Sequence, residues 1–222
     1  MLFAALALFA AGCGGDDEQS AATPEATEEA PANEFLPEGC ENVAKPAPKE
    51  VGAIDKPTEK LSRSKTYIAT VSTTCGDFEI TLDAKRAPVT GGSFKYLADQ
   101  GFFDGLTFHR IVPNFVIQGG DPNGDGSGGP GYTVVEPPPR NLTYDEGIVA
   151  MAKTQSEPAG ASGSQFFVVT GSDAATLPPD YALLGKVTKG MDVATKIGGI
   201  QSDASGAPAA QVVIKSIRVS EE

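Results

Sequence analysis

Between Leu106 and Gly120 the chain reads Leu-Thr-Phe-His-Arg-Ile-Val-Pro-Asn-Phe-Val-Ile-Gln-Gly-Gly. Two short apolar runs meet at a Pro-Asn pair, and a pair of glycines ends the second. Proline presets a turn and asparagine tolerates its left-handed corner, so the segment reads as two strands tightly joined. Similar runs recur. Tyr67–Thr74 and Phe78–Leu82 alternate around Cys75-Gly76-Asp77, which predicts a hairpin with a glycine turn. Further strands are expected near Ile148–Ala152, Gln165–Thr170, Ala182–Val187 and Val212–Val219. Helical patterns are few. Pro88 opens one that carries Phe94, Tyr96 and Leu97 to about Asp99, and Met191–Ile197 gives a second, ended by Gly198-Gly199. Many short strands with two helices predict a barrel or a sandwich, and the pattern alone does not choose between them.

The ends of the chain differ from its middle. Met1–Ala11 is almost purely apolar but too short to span a bilayer, which matches the core of a signal peptide. It closes on Ala10-Ala11-Gly12-Cys13, similar to a bacterial lipobox, so residues 1–13 are expected to be a signal peptide with Cys13 lipidated. An ordinary cleaved signal, giving a secreted protein, is the alternative. The net charge of −12 is concentrated just beyond. Residues 14–44 hold nine acids and no Lys or Arg, leaving 20 acids against 17 bases elsewhere. Residues 14–62 therefore read as an acidic, Pro/Ala/Glu-rich tether. Such a composition, most marked up to about Pro48, buries too little apolar surface to offset the entropy of ordering, and disorder is expected. The folded domain is expected over 63–222. With Cys13 lipidated, Cys40 and Cys75 remain as an even pair in an exported chain and are expected to form a disulfide. Closing that loop would contribute about 3–4 kcal/mol in the chain-entropy model.

Several chemistries are excluded. A Ser-His-Asp hydrolase needs a histidine beside its nucleophile, and His109, the single histidine, neighbours Arg110 in a strand that sends the two side chains to opposite faces. Gly160-Ala161-Ser162-Gly163-Ser164 misses the nucleophile-elbow spacing. Asp121-Pro122-Asn123-Gly124-Asp125-Gly126 begins like a calcium loop, but its twelfth position is Tyr132 and no helix precedes it. One histidine and no Cys-x-x-Cys give no zinc site, and no basic patch suits nucleic acid.

Phe108-His109-Arg110, Phe115, Gln118-Gly119-Gly120-Asp121 and Gly163-Ser164-Gln165-Phe166-Phe167 fall in the order and spacing of one known family. Over roughly Lys65–Val219 the chain resembles the cyclophilin-type peptidyl-prolyl cis-trans isomerases, in a bacterial exported lipoprotein form. The resemblance implies a mainly β fold, a closed antiparallel β-barrel capped by two α-helices. It implies that Phe115, Val116, Phe167 and Leu177 form a proline pocket and that Gln118 anchors substrate backbone or orients Arg110. It further implies that Ala152 and Lys153 offer backbone to the residue before proline, and that Gln165 and Tyr181 line the groove. His109 has a family counterpart, with a structural or a catalytic role. The chain departs from the family at Thr176, where tryptophan is common, at Tyr181, where histidine is common, and at Val116, where methionine is common. The first two weaken the expectation of tight cyclosporin binding.

The implied chemistry suits an arginine. Amide resonance stiffens the peptide bond, with a rotation barrier of about 18–20 kcal/mol. Twisting localises the lone pair on nitrogen, and a donor placed there favours the twisted state over either planar one. Arginine keeps its proton and always donates. No covalent bond and no cofactor are needed. The expected partners are proline-containing polypeptides outside the cytoplasm, met by a monomer held to the membrane by its lipid. A non-catalytic proline-peptide-binding module, or chaperone, is the alternative function.

Overall fold

The computed structural model describes residues 33–222. The leader 1–13 with Cys13, and the tether up to residue 32, lie outside them. Ten strands and two α-helices follow in the order β1 (Tyr67–Thr73), β2 (Gly76–Leu82), α1 (Pro88–Asp99), β3 (Arg110–Val112), β4 (Val116–Gly119), β5 (Val134–Val135), β6 (Ile148–Met151), β7 (Ala161–Ser162), β8 (Phe166–Val169), β9 (Leu183–Lys189), α2 (Met191–Gly198) and β10 (Ile214–Glu221). A short 3-10 turn, Ser172–Thr176, precedes β9. The expected strands and helices are present; β5, β7 and the 3-10 turn are too short to carry a period.

Eight strands form one antiparallel sheet in the order β10-β1-β2-β9-β6-β8-β4-β3, while β5 and β7 pair separately. The large sheet curls until its edge strands approach. There the backbone bonds short of a full ladder: Gly105 donates to the Ile214 carbonyl at 2.8 Å, Ile214 to Leu106 at 2.7 Å, and Phe108 to Val212 at 3.1 Å. These bonds between the approach to β3 and the start of β10 draw the two edges together, so that the strongly curled sheet forms a half-barrel.

Alternation divides the strands. Ile111 of β3, Ile117 of β4, Val168 of β8 and Val149 of β6 point inward and are fully buried. They join Phe78, Ile80 and Ile217 in the main core. From α1, Phe94 meets Phe166 edge-on at 5.6 Å between ring centroids, a favoured aromatic geometry, and Ala194 and Ile197 of α2 complete the cover. The N-terminus of α1 has no side-chain cap of its own. Its Val89 and Thr90 N–H groups donate instead to the Glu136 carboxylate at 3.0 and 2.8 Å, where negative charge is favoured by the helix dipole. Among the described residues no helix is long and apolar enough to cross a membrane.

One expectation fails. The described part of the tether, residues 33–62, is irregular but lies against the barrel as a strap. Cys40 and Cys75 are joined in a disulfide, and Glu41 donates from its backbone to the Thr74 carbonyl at 2.7 Å. The Lys49 ammonium donates to the carbonyls of Gly101, Phe102 and Asp104, each at 2.9 Å. Burial pulls the Lys49 pKa below its ordinary value, partly opposed by the nearby Asp104 carboxylate. Leu61 is buried, worth about 1.5–3 kcal/mol of apolar transfer, and bonds through its N–H to Pro88 at 3.0 Å. Composition missed this because few residues do the docking, and the receiving surface lies elsewhere. Gly91 and Gly92 in α1 are that surface: a Cβ at Gly91 would overlap the Leu61 side chain, and one at Gly92 the Glu59 carbonyl.

Glycine inside a helix ordinarily costs about 0.5–1 kcal/mol against alanine. Here the sign should reverse. Gly92→Ala is expected to destabilise the chain by about 1–3 kcal/mol, as overpacking does. Urea unfolding would measure it, and a stabilised variant would show that the strap does not dock on α1.

Candidate active site

The outward face of the same strands carries the candidate residues. Arg110 of β3 lies opposite Gln118 of β4, Gln118 opposite Phe167 of β8, and Phe167 opposite Ala150 of β6. Cross-strand partners share a face, so one rung sets a cation, an amide, an aromatic ring and a methyl in line across the sheet. The adjoining rung supplies Val116 and Val169. Together with Phe115, Ala152, Leu177 and Tyr181 these residues form an apolar cluster distinct from the main core. The expected pocket residues Phe115, Val116, Phe167 and Leu177 are thus brought together on the outer wall.

Arg110 is half-buried and its guanidinium carbon stands 6.0 Å from the Phe115 ring centroid. It makes no ion pair among the described residues, so its donors remain uncommitted. Its alkyl stem rests on Gly206, where a Cβ would approach to 2.9 Å. Gly206 adopts φ +89°, and the loop around it is held by Asp203, which accepts from Ser205 and Ala207. Those bonds, first the Ser205 hydroxyl, keep the Asp203 carboxyl below the usual range.

Gln118 donates from Nε2 to Gln165 Oε1 at 3.0 Å. Gln165 is itself oriented by donating to the carbonyls of Gly126 and Gly128, both at 2.9 Å. This chain fixes the amide order and leaves the Gln118 carbonyl oxygen as an acceptor without a donor among the described residues. Ala152 donates to the Gln165 carbonyl at 2.9 Å, so its own N–H is already bound. Gln118, Ala152, Lys153 and Gln165 line a groove of about 520 Å³ with the glycine-rich segment 126–133. That segment is a turn built on Asp121. The buried carboxylate accepts from the N–H groups of Asn123, Asp125 and Gly126, which accounts for the calcium-like spacing.

His109 is placed differently from the expectation. Residues 108 and 109 precede β3 rather than belonging to it, so strand parity does not send His109 and Arg110 to opposite faces. Phe108 is in the main core, whereas His109 and Arg110 line one cavity of about 420 Å³. Both ring nitrogens of His109 are without a hydrogen-bond partner among the described residues. Burial holds its pKa below the usual histidine range, so it is neutral at pH 7. The Lys153 side chain lines the groove with its ammonium already paired. It is 5% exposed, pairs with Asp180 at 2.7 Å and donates to the Glu157 carbonyl at 3.2 Å, tying the loop after β6 to the residues before β9.

Tyr144 escaped sequence reasoning. It is fully buried in the outer cluster; its hydroxyl donates to the Tyr181 carbonyl at 2.7 Å and accepts from the Tyr181 N–H at 3.0 Å. Burial pushes its pKa up to about 12, so the hydroxyl stays a donor at every ordinary pH. Tyr181 in turn meets Phe167 edge-on at 5.5 Å. A tyrosine in a loop before β6 carries no local signal of this, since its partner is 37 residues away.

Comparison with known proteins agrees with this geometry. The family model for cyclophilin type peptidyl-prolyl cis-trans isomerase/CLD matches residues 68–219. Peptidyl-prolyl cis-trans isomerase B of Bacillus subtilis is 43% identical over 117 residues, 52% of this chain and 79% of that protein. Peptidyl-prolyl cis-trans isomerase A of Mycobacterium tuberculosis is 35% identical over 174 residues, 70% of this chain and 93% of that protein. A crystal structure of a Cryptosporidium parvum cyclophilin type isomerase in the presence of the dipeptide Ala-Pro superposes with a TM-score of 0.61. That pair is 31% identical, and the match covers 69% of this chain and 98% of that one.

Tyr144→Phe strands a backbone donor and acceptor of Tyr181. It is expected to cost about 1–3 kcal/mol by thermal or urea unfolding; an unchanged midpoint would contradict the brace. His109 gives a pH signature. Its folded pKa lies below the unfolded value, so the unfolded chain binds more protons once pH falls below that value. Stability should be full above about pH 6.5 and decline as pH falls toward the folded pKa. Because the chain has one histidine, His109→Gln should flatten that slope in urea titrations kept above the carboxylate range.

Proposed function

The chain belongs to the cyclophilin-type peptidyl-prolyl cis-trans isomerases, and from that premise we propose how and where it acts. The observation that carries the proposal is the rung Arg110–Gln118–Phe167, which sets an uncommitted cation at the lip of an apolar pocket. A proline ring fits against Phe115, Val116, Phe167 and Leu177, with Tyr181 as the wall braced by Tyr144. Pyrrolidine has no polar atom to satisfy there, so its burial needs only apolar surface. The dipeptide Ala-Pro present with the Cryptosporidium relative is the smallest fragment of such a substrate.

With the ring held, rotation moves the acyl side. Gln118 and the backbone near Ala152 and Lys153 steady the residue before proline. Arg110 donates to the prolyl nitrogen as its lone pair localises. A charge-assisted hydrogen bond contributes about 1.5–3 kcal/mol, or about one to two powers of ten in rate. The remainder comes from fixing the chain on either side, which removes the freedom that rotation in water must forgo. His109, neutral and beside Arg110, adds no competing charge to the cavity.

The setting proposed is extracytoplasmic. The apolar leader ending at Cys13 supports a lipid anchor, and two acyl chains suffice for stable attachment. The Cys40–Cys75 disulfide supports an oxidising compartment. Clients are then proline-containing polypeptides folding outside the cytoplasm, met by a monomer.

Arg110→Ala is expected to lower kcat/KM on Ala-Pro peptides at least tenfold while leaving the unfolding midpoint near that of the parent, and Arg110→Lys to fall between. Parent-level activity in the alanine variant would contradict the role given to Arg110.

A further inference from the structure

The strap lies outside residues 68–219, yet it reaches the catalytic groove. The cavity of about 420 Å³ beside the proline pocket is lined by Arg110, Gln118 and His109 from the barrel, by Asp125 and Gln211 from loops, and by Lys45 from the strap. Lys45 sits on a span fixed at both ends. On one side are the Cys40–Cys75 disulfide, the Glu41–Thr74 backbone bond and a Glu41–Lys215 ion pair. On the other, Lys49 bonds through its N–H to Pro122 at 2.8 Å and through its ammonium to three carbonyls. Pro46 and Pro48 restrict the intervening backbone, so little freedom is lost in holding residue 45 at the cavity.

The charges there do not cancel. Lys45 and Arg110 make no ion pair among the described residues. Asp125 is the single carboxylate lining the cavity, and its Oδ1 already accepts from the Ser127 N–H at 2.9 Å and hydroxyl at 2.6 Å. Two cations therefore face one anion across a space that holds Arg110 and shares Gln118 and Gly126 with the groove of about 520 Å³. A substrate chain leaving the proline pocket on this side meets a positive field.

We propose that Lys45, delivered by the strap, makes this cavity a subsite for a carboxylate side chain, so that the enzyme prefers proline segments with Asp or Glu a few residues from the proline. This rests on the groove being the isomerase site. Because Lys45 is exposed, the effect is modest and salt-sensitive: about two- to fivefold in kcat/KM at low salt, from the usual strength of an exposed ion pair.

The test uses the full chain and paired peptides that carry Glu or Gln at each position flanking an Ala-Pro unit. The readout is the Glu/Gln ratio of kcat/KM, with kcat and KM resolved separately. The expected result is a ratio of about two to five at one or more positions, carried by KM and lost at high salt. Lys45→Gln should bring it to one, Lys45→Arg should restore it, and Lys45→Glu should invert it. A ratio of one at every position in the parent, or a preference that survives Lys45→Gln, would overturn the subsite while leaving the isomerase intact. No turnover of any peptide would overturn the isomerase assignment, and the subsite with it.

Discussion

The period of two along β3, β4, β8 and β6 governs both the stability and the chemistry of this chain. Ile111, Ile117, Val168 and Val149 fill the barrel from one face of those strands. Each is worth about 1.5–3 kcal/mol once buried, and a one-residue slip would turn all of them out to solvent. The same register sends Arg110, Gln118, Phe167 and Ala150 to the outer face in one rung. Core packing thus positions the candidate site. Setting an arginine against an apolar pocket gains little by itself, and the register energy of four neighbouring strands offsets it.

The outer face needs walls, and these come from loops that are pinned individually. Asp121 nucleates the glycine-rich turn through three backbone N–H groups, and Gln165 clamps it through two carbonyls. Lys153 ties the opposite wall to Asp180, and Tyr144 holds Tyr181 by both its backbone groups. The strap adds a further layer. Lys49 bonds to Pro122 at one end of the turn, and Lys56 donates to the Thr133 carbonyl at the other, 2.7 Å away. A segment that resembles a passive tether therefore braces the loop that borders the groove.

Much of this was legible in the chain. Alternation and Gly/Pro punctuation located the long elements, because burial of one face leaves a period in the sequence. The family resemblance pointed to Arg110, Phe115, Gln118 and Phe167, and the register sets three of them, Arg110, Gln118 and Phe167, in one rung, with Phe115 in the turn beside it. What stayed hidden depends on contacts between distant residues. Tyr144 and Tyr181 show no local pattern. Beyond the expected disulfide, the strap's ordering resides in Lys49 and Leu61 and in two helix glycines, Gly91 and Gly92, whose reason is visible only when Leu61 and Glu59 are placed on them. Strand parity misplaces His109 because the strand begins only at Arg110, several residues after the run from Leu106 starts.

The central claim is that the groove both binds the prolyl bond and speeds its rotation. The most direct measurement is NMR exchange spectroscopy on a short Ala-Pro peptide with the full chain, following cis–trans exchange together with backbone shifts of the protein. The account predicts faster exchange, with shifts centred on Arg110, Phe115, Gln118, Phe167 and Tyr181. Shifts at those residues with exchange no faster than in buffer would contradict it, and would reduce the groove to a site of recognition.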